Sequence, residues 1–173
     1  VQYVDSLGVT NGGAANSSNI GGIIGINNGN MYSGYKERIV SGKDNVGGII
    51  GTNATGKNVE KVVNATGVEG KDNVGGLVGV NSGSVTNGRN NGTITGVNYV
   101  GGMVGSNAQG ATLTNLVNDS SAAIEGENYV GGIAGTNAGT ITAQNQSNLI
   151  NRGSITGQNY VGGVAGENIG TIE

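Results

Sequence analysis

"NYVGGIAGTNAGTI", residues 128–141, carries four glycines and no charge. A stretch like this reads as a ligand cradle, a flexible linker or a structural unit, and its recurrence decides between them. Aligned on the glycine pair, the chain gives "IGGIIGIN" from Ile20, "VGGIIGTN" from Val46 and "VGGLVGVN" from Val74. It then gives "VGGMVGSN" from Val100, "VGGIAGTN" from Val130 and "VGGVAGEN" from Val161, at intervals of 26, 28, 26, 30 and 31 residues. A self-similar period of this length marks a stacked repeat architecture.

Each copy ends in asparagine: Asn27, Asn53, Asn81, Asn107, Asn137 and Asn168. A second apolar position follows at Met31, Val59, Val85, Leu113, Ile141 and Ile172, and a third at Ile39, Val68, Ile94, Ile124 and Ile155. One repeat thus holds three short strand-like pieces separated by Gly/Asn turns. The second-to-third spacing varies most, from 8 to 14 residues, so insertions collect at one corner. Three short strands cannot fold alone, but stacked copies pair like with like at ~4.8 Å. The expected fold is all-β: a parallel β-helix (β-solenoid) of about six coils with three strands per coil. Repeats begin near 20, 46, 74, 100, 130 and 161 and span 20–173, and residues 1–19 form a degenerate coil or cap. A β-propeller is disfavoured because its blades need ~40–50 residues.

Composition agrees. Glycine is 37 of 173 residues, roughly three times ordinary usage. Disorder is disfavoured because charged residues are only 11% and Val and Ile recur throughout. Net charge is −3, which argues against nucleic acid as a partner, and no apolar run approaches the ~20 residues of a membrane span. The chain starts mid-pattern at Val1 and stops at "GTIE" as a second piece begins, so it reads as part of a longer protein.

Strand alternation predicts Val100, Gly102 and Val104 on one face and Tyr99, Gly101 and Met103 on the other. Ile23, Ile49, Leu77, Met103, Ile133 and Val164 then form a stripe, either exposed as a contact surface or covered within the fold. The six closing asparagines are expected to bond one another up the stack and to tolerate φ > 0 at the turn. Asn19, Asn45 and Asn73 share a column with Tyr99, Tyr129 and Tyr160. Those tyrosines are expected to stack, with a sugar-binding platform as the functional alternative.

The copies of "VGGLVGVNSGSVTN" resemble the GLUG motif, a repeat named for a Gly-Leu-apolar-Gly core. The core is nearest as "GLVG" at Gly76–Gly79 and recurs as "GIIG", "GMVG", "GIAG" and "GVAG". The resemblance runs from residue 20 to 172. Such repeats occur in bacterial surface and secreted proteins, including immunoglobulin A1 metallopeptidases and haemagglutinin-like adhesins, outside their catalytic machinery. The resemblance implies an extracellular, non-catalytic module on a bacterial cell surface or in a secreted protein.

Chemistry-bearing patterns are sparse. With no His and no Cys, the Ser-His-Asp, Cys-His and usual zinc constellations are excluded. "GTNATGKN", Gly51–Asn58, approaches a phosphate loop but has Asn58 where a hydroxyl belongs and no following helix pattern. Calcium-binding β-rolls need Asp where this repeat has Asn. Asp44 and Asp72 align in "GKDN", beside Lys43 and Lys71, and read as solvated turn charges. "SVT", "TLT" and "TIT" at Ser84–Thr86, Thr112–Thr114 and Thr140–Thr142 predict two outward hydroxyl columns, the basis of an ice-binding alternative. Asn-X-Ser/Thr at Asn16, Asn53, Asn64, Asn91, Asn118 and Asn145 fits chance in an Asn- and Thr-rich chain.

No catalytic residue, cofactor or metal is expected. The expected function is a rigid structural or adhesive module contacting a host surface protein or glycan, with neighbouring domains of its own chain. Contacts are expected at the inserts Asn115–Ala123 and Thr142–Gly153, and open solenoid ends predict end-to-end association. A carbohydrate-active β-helix is the alternative enzyme reading; it needs clustered carboxylates and basic groups in a groove.

Overall fold

The computed structural model describes residues 4–5, 17–144 and 148–173. Among them there is no helix, and every strand pairing is parallel and joins equivalent positions of successive repeats. The chain is a β-solenoid of about five full turns. It has four walls rather than three, because the glycine pair breaks the first piece in two.

The first wall stacks Ser18–Gly21, Asp44–Gly47, Asp72–Gly75, Asn98–Gly101, Asn128–Gly131 and Asn159–Gly162. After a bend at the second glycine, the second wall stacks Ile24–Asn27, Ile50–Asn53, Val78–Asn81, Val104–Asn107, Ala134–Asn137 and Ala165–Asn168. The third wall has two arms. Met31–Lys36 and Asn58–Asn64 run through both, and later turns divide them, as in Ser84–Thr86 with Arg89–Asn90 and Thr112–Thr114 with Val117–Asn118. Val4–Asp5 adds to the second arm through Gly34 and Tyr35. The fourth wall stacks Val40–Ser41, Val68–Glu69, Ile94–Thr95, Ala123–Glu125 and Ser154–Thr156. Beyond Val4–Asp5, nearly all of the segment expected to form a cap lies outside the described residues.

The bend overturns the expected alternation. Met103 and Val104 both point inward and are fully buried, as are Ile49 with Ile50 and Leu77 with Val78. The glycine-flanked stripe is therefore core, and its end members Ile23 and Val164 pack against it half-buried. The core divides into two clusters. One joins these residues to Val59, Val85, Leu113 and Ile141 of the third wall. The other joins Val46, Val74, Val100 and Val130 to Val40, Val68, Ile94 and Ile124. The third anchor of the first repeat is Val40, which pairs with Val68, while Ile39 is 57% exposed. The nine-residue step from Met31 to Val40 repeats in Val59–Val68 and Val85–Ile94 and selects the right valine.

Candidate functional site

The asparagines that close the second wall form a continuous amide ladder inside the solenoid. Asn27 Nδ2 donates to Asn53 Oδ1 at 2.9 Å, and the relay continues to Asn81 (2.9 Å), Asn107 (2.9 Å), Asn137 (2.8 Å) and Asn168 (2.8 Å). Asn81 also donates to the Gly83 carbonyl at 3.1 Å and accepts from the Gly83 N–H at 3.2 Å. Side chain and turn thus satisfy each other, as buried amides require. These asparagines do not have positive φ. That conformation falls on Asn19, Asn45, Asn73, Tyr99, Tyr129 and Tyr160, at +53° to +58°, and on Ser33, Lys61, Asn87 and Asn115.

A second ladder went unread in the sequence. Asn64, Asn90, Asn118 and Asn151 are linked by Nδ2–Oδ1 bonds of 2.8, 2.9 and 2.8 Å. The signal for it is the recurrence of Asn-x-Gly, shared by Asn90-Asn91-Gly92 and Asn81-Ser82-Gly83, each with the same two turn bonds. This ladder explains the glycine pair. A Cβ on Gly48, Gly76 or Gly102 would come within 2.8 Å of the carboxamide carbon of Asn64, Asn90 or Asn118 and strike the next turn's carbonyl. Fully buried Lys36 occupies the position below Asn64 in register.

The tyrosine column packs ring upon ring. Tyr99 and Tyr129 have centroids 5.0 Å apart and planes inclined by 16°, and for Tyr129 and Tyr160 the values are 4.7 Å and 9°. Neighbouring ring faces cover one another, while Tyr160 at the end of the column is 63% exposed. Desolvation in the stack, then the charges of Tyr160, Glu167 and Tyr99, holds the Tyr129 phenol above its ordinary pKa.

Asp44 and Asp72 face each other in register, each beside its own lysine at 3.5 and 3.9 Å. Asp44 Oδ1 is buried without a hydrogen-bond partner. Among the described residues no group of three or more acidic side chains converges as a metal site would require. Gly51–Asn58 runs from the end of the second-wall strand through a turn at 54–57 to the first residue of the third-wall strand, with Asn53 Nδ2 donating to the Lys57 carbonyl at 3.0 Å. The sequon residues Asn53, Asn64 and Asn118 are buried, and Asn16 and Asn145 lie outside the described residues.

Of the two inserts expected to make contacts, Asn115–Ala123 is partly buried. Asn115, Leu116, Asn118 and Ala122 are buried, and Ser120 and Ser121 are left at the tip. The insert Thr142–Gly153 lies partly outside the described residues. A recess of about 310 Å³ opens at the corner between the second and third walls. Thr55, Asn58, Ser82, Ser84, Gln109 and Thr112 line it, so its polar groups are neutral hydroxyls and amides. Its rim adjoins the hydroxyl columns, which are in register as Ser84, Thr112, Thr140 and Thr171, and as Thr86, Thr114 and Thr142.

No family model matches this chain, and no curated protein or solved structure matches it significantly.

Proposed function

We propose that this chain is a non-catalytic structural module, a stiff β-solenoid spacer whose corner recess contacts a neutral glycan or a host surface protein. The observation that supports it best is the unbroken register of the four walls and two amide ladders, which couples each turn to its neighbours. Rigidity of this kind separates attached domains at fixed spacing. The recess supports the adhesive half of the reading, because neutral hydroxyl and amide groups complement sugar hydroxyls without a charge requirement. The GLUG-like core at Gly76–Gly79 supports placement in a bacterial surface or secreted protein.

A panel of immobilised neutral oligosaccharides, probed with the chain and with Gln109→Arg, tests the adhesive half. Binding that the arginine abolishes supports it, and no signal above background leaves the spacer alone. The in-register Ser/Thr columns favour one second reading, binding to ordered water at an ice surface. Thermal hysteresis in the same sample would establish that reading, and its absence would remove it.

A further inference from the structure

The column at Asn19, Asn45, Asn73, Tyr99, Tyr129 and Tyr160 changes chemistry halfway up the stack. All six residues hold φ between +53° and +58°. In the first three turns an amide ladder fills the position: Asn45 Nδ2 donates to Asn19 Oδ1 at 3.0 Å, and Asn73 Nδ2 to Asn45 Oδ1 at 2.9 Å. Asparagine tolerates this left-handed backbone, whereas a bulky tyrosine disfavours it. The last three turns nevertheless set a phenol on the same backbone. Side chains held against their conformational preference point to a use beyond holding the turn.

Tyr129 has a phenol against each face. Its ring centroid lies 5.0 Å from that of Tyr99 and 4.7 Å from that of Tyr160, with planes inclined by 16° and 9°. The flanking residues pair in register, Asn98 with Asn128 and Val100 with Val130. Each carbon ortho to a hydroxyl therefore lies over its counterpart at close to the 5.0 and 4.7 Å of the centroids. Tyr99 and Tyr129 are half-buried, which leaves an edge of each ring room to tilt toward the next. Elsewhere, Tyr32 and Tyr35 stand opposite Glu60 and Val63 of the next turn, so the stack alone sets phenol against phenol among the described residues.

We propose that Tyr99, Tyr129 and Tyr160 form an oxidative cross-linking site, at which hydrogen peroxide acting through a haem peroxidase joins Tyr129 to a neighbouring phenol as dityrosine and so staples adjacent turns. Each of the two phenols loses one electron and its hydroxyl proton, and the peroxide takes both electrons and both protons to become two waters. The two phenoxyl radicals share their unpaired electrons in a new C–C bond between ortho carbons. Each ring then returns the hydrogen of that carbon to its oxygen, which restores the phenol. Rings held one turn apart react as an intramolecular pair, so the fold selects the partner. The staple adds a covalent link to the hydrogen-bonded coupling of a spacer and does not depend on the recess binding glycan.

The test treats the whole chain with a haem peroxidase and hydrogen peroxide across a series of protein concentrations, beside Tyr99→Phe, Tyr129→Phe and Tyr160→Phe. Free tyrosine coupled in a parallel tube verifies the oxidant. Phenylalanine keeps the ring and removes the phenol, and circular dichroism checks that each variant keeps its β signature. The unaltered chain is expected to give a dityrosine-fluorescent monomer lighter by two hydrogens, in a yield independent of concentration. Tyr129→Phe is expected to cut that monomer signal at least about tenfold, because the remaining phenols are two strand spacings, ~10 Å, apart. Tyr99→Phe and Tyr160→Phe each keep one pair, and peptide mapping is expected to place the link at Tyr129–Tyr160 and Tyr99–Tyr129 respectively. A monomer free of dityrosine overturns the proposal, as does a yield that rises with concentration as cross-linked dimers. So does a link within the chain that survives Tyr129→Phe.

Discussion

Asn81 and Asn107, one turn apart, share a buried 2.9 Å amide bond in which Asn81 donates and Asn107 accepts. Neither carboxamide is exposed, and the same Asn81 side chain holds its turn through Gly83.

Asn81→Ala removes acceptors for Asn53 Nδ2 and the Gly83 N–H and the donor to Asn107. Each buried group left unpaired costs about 1–3 kcal/mol, so a loss of about 3 kcal/mol is expected in urea unfolding. Asn168→Ala, at the exposed end of the same ladder, should change stability by less than about 0.5 kcal/mol. Equal effects at the two sites would contradict a structural role for the ladder.

Glycine substitutions should separate sharply. A methyl on Gly102 meets the Gly132 carbonyl and the Asn118 carboxamide, neither of which can move without breaking pairing. Gly102→Ala is expected to destabilise by about 2 kcal/mol or more, in the range of overpacked cores. A methyl on Gly29 meets no atom within 4 Å, and Gly29→Ala should be neutral or stabilise by up to about 1 kcal/mol. Thermal melts of the two variants make the comparison.

Core assignment can be checked at the first repeat. Val40 is fully buried and Ile39 is 57% exposed. Val40→Ala should cost about 2 kcal/mol, whereas Ile39→Ala should be nearly silent. A reversed order would restore Ile39 as the anchor.

The Tyr129 phenol is held above its ordinary value of about 10 by desolvation first and its charged neighbours second. The unfolded chain therefore releases this proton at lower pH than the folded one. Its contribution to stability is complete below pH 10 and is lost as pH rises from there through the folded value. Ultraviolet difference titration should show late ionisation that Tyr160→Ala brings back toward normal. Tyr129→Phe should remove this part of the alkaline destabilisation while keeping the stack.

The repeat spacing was sufficient to identify like-on-like parallel stacking. Position in the period selects Met31, Val59, Val85, Leu113 and Ile141 as a column, and backbone pairing between equal positions follows from the period itself. The hydroxyl columns and the Asn/Tyr column were legible for the same reason. The break at the glycine pair was not legible. Strand alternation is a local rule, and it fails where Gly48 or Gly102 must admit an asparagine from another wall. The second ladder was hidden when counted forward, because Asn64, Asn90, Asn118 and Asn151 lie 18, 16, 18 and 21 residues after Val46, Val74, Val100 and Val130; counted back from the next copy the spacing is 10, 10, 12 and 10. The inward turn of Met103 beside Val104, and the corner that opens into a recess, depend on how four walls close around one interior. One-dimensional periodicity determines which residues stack. Which way the walls face is decided only when backbone sterics and amide pairing are satisfied around the whole turn.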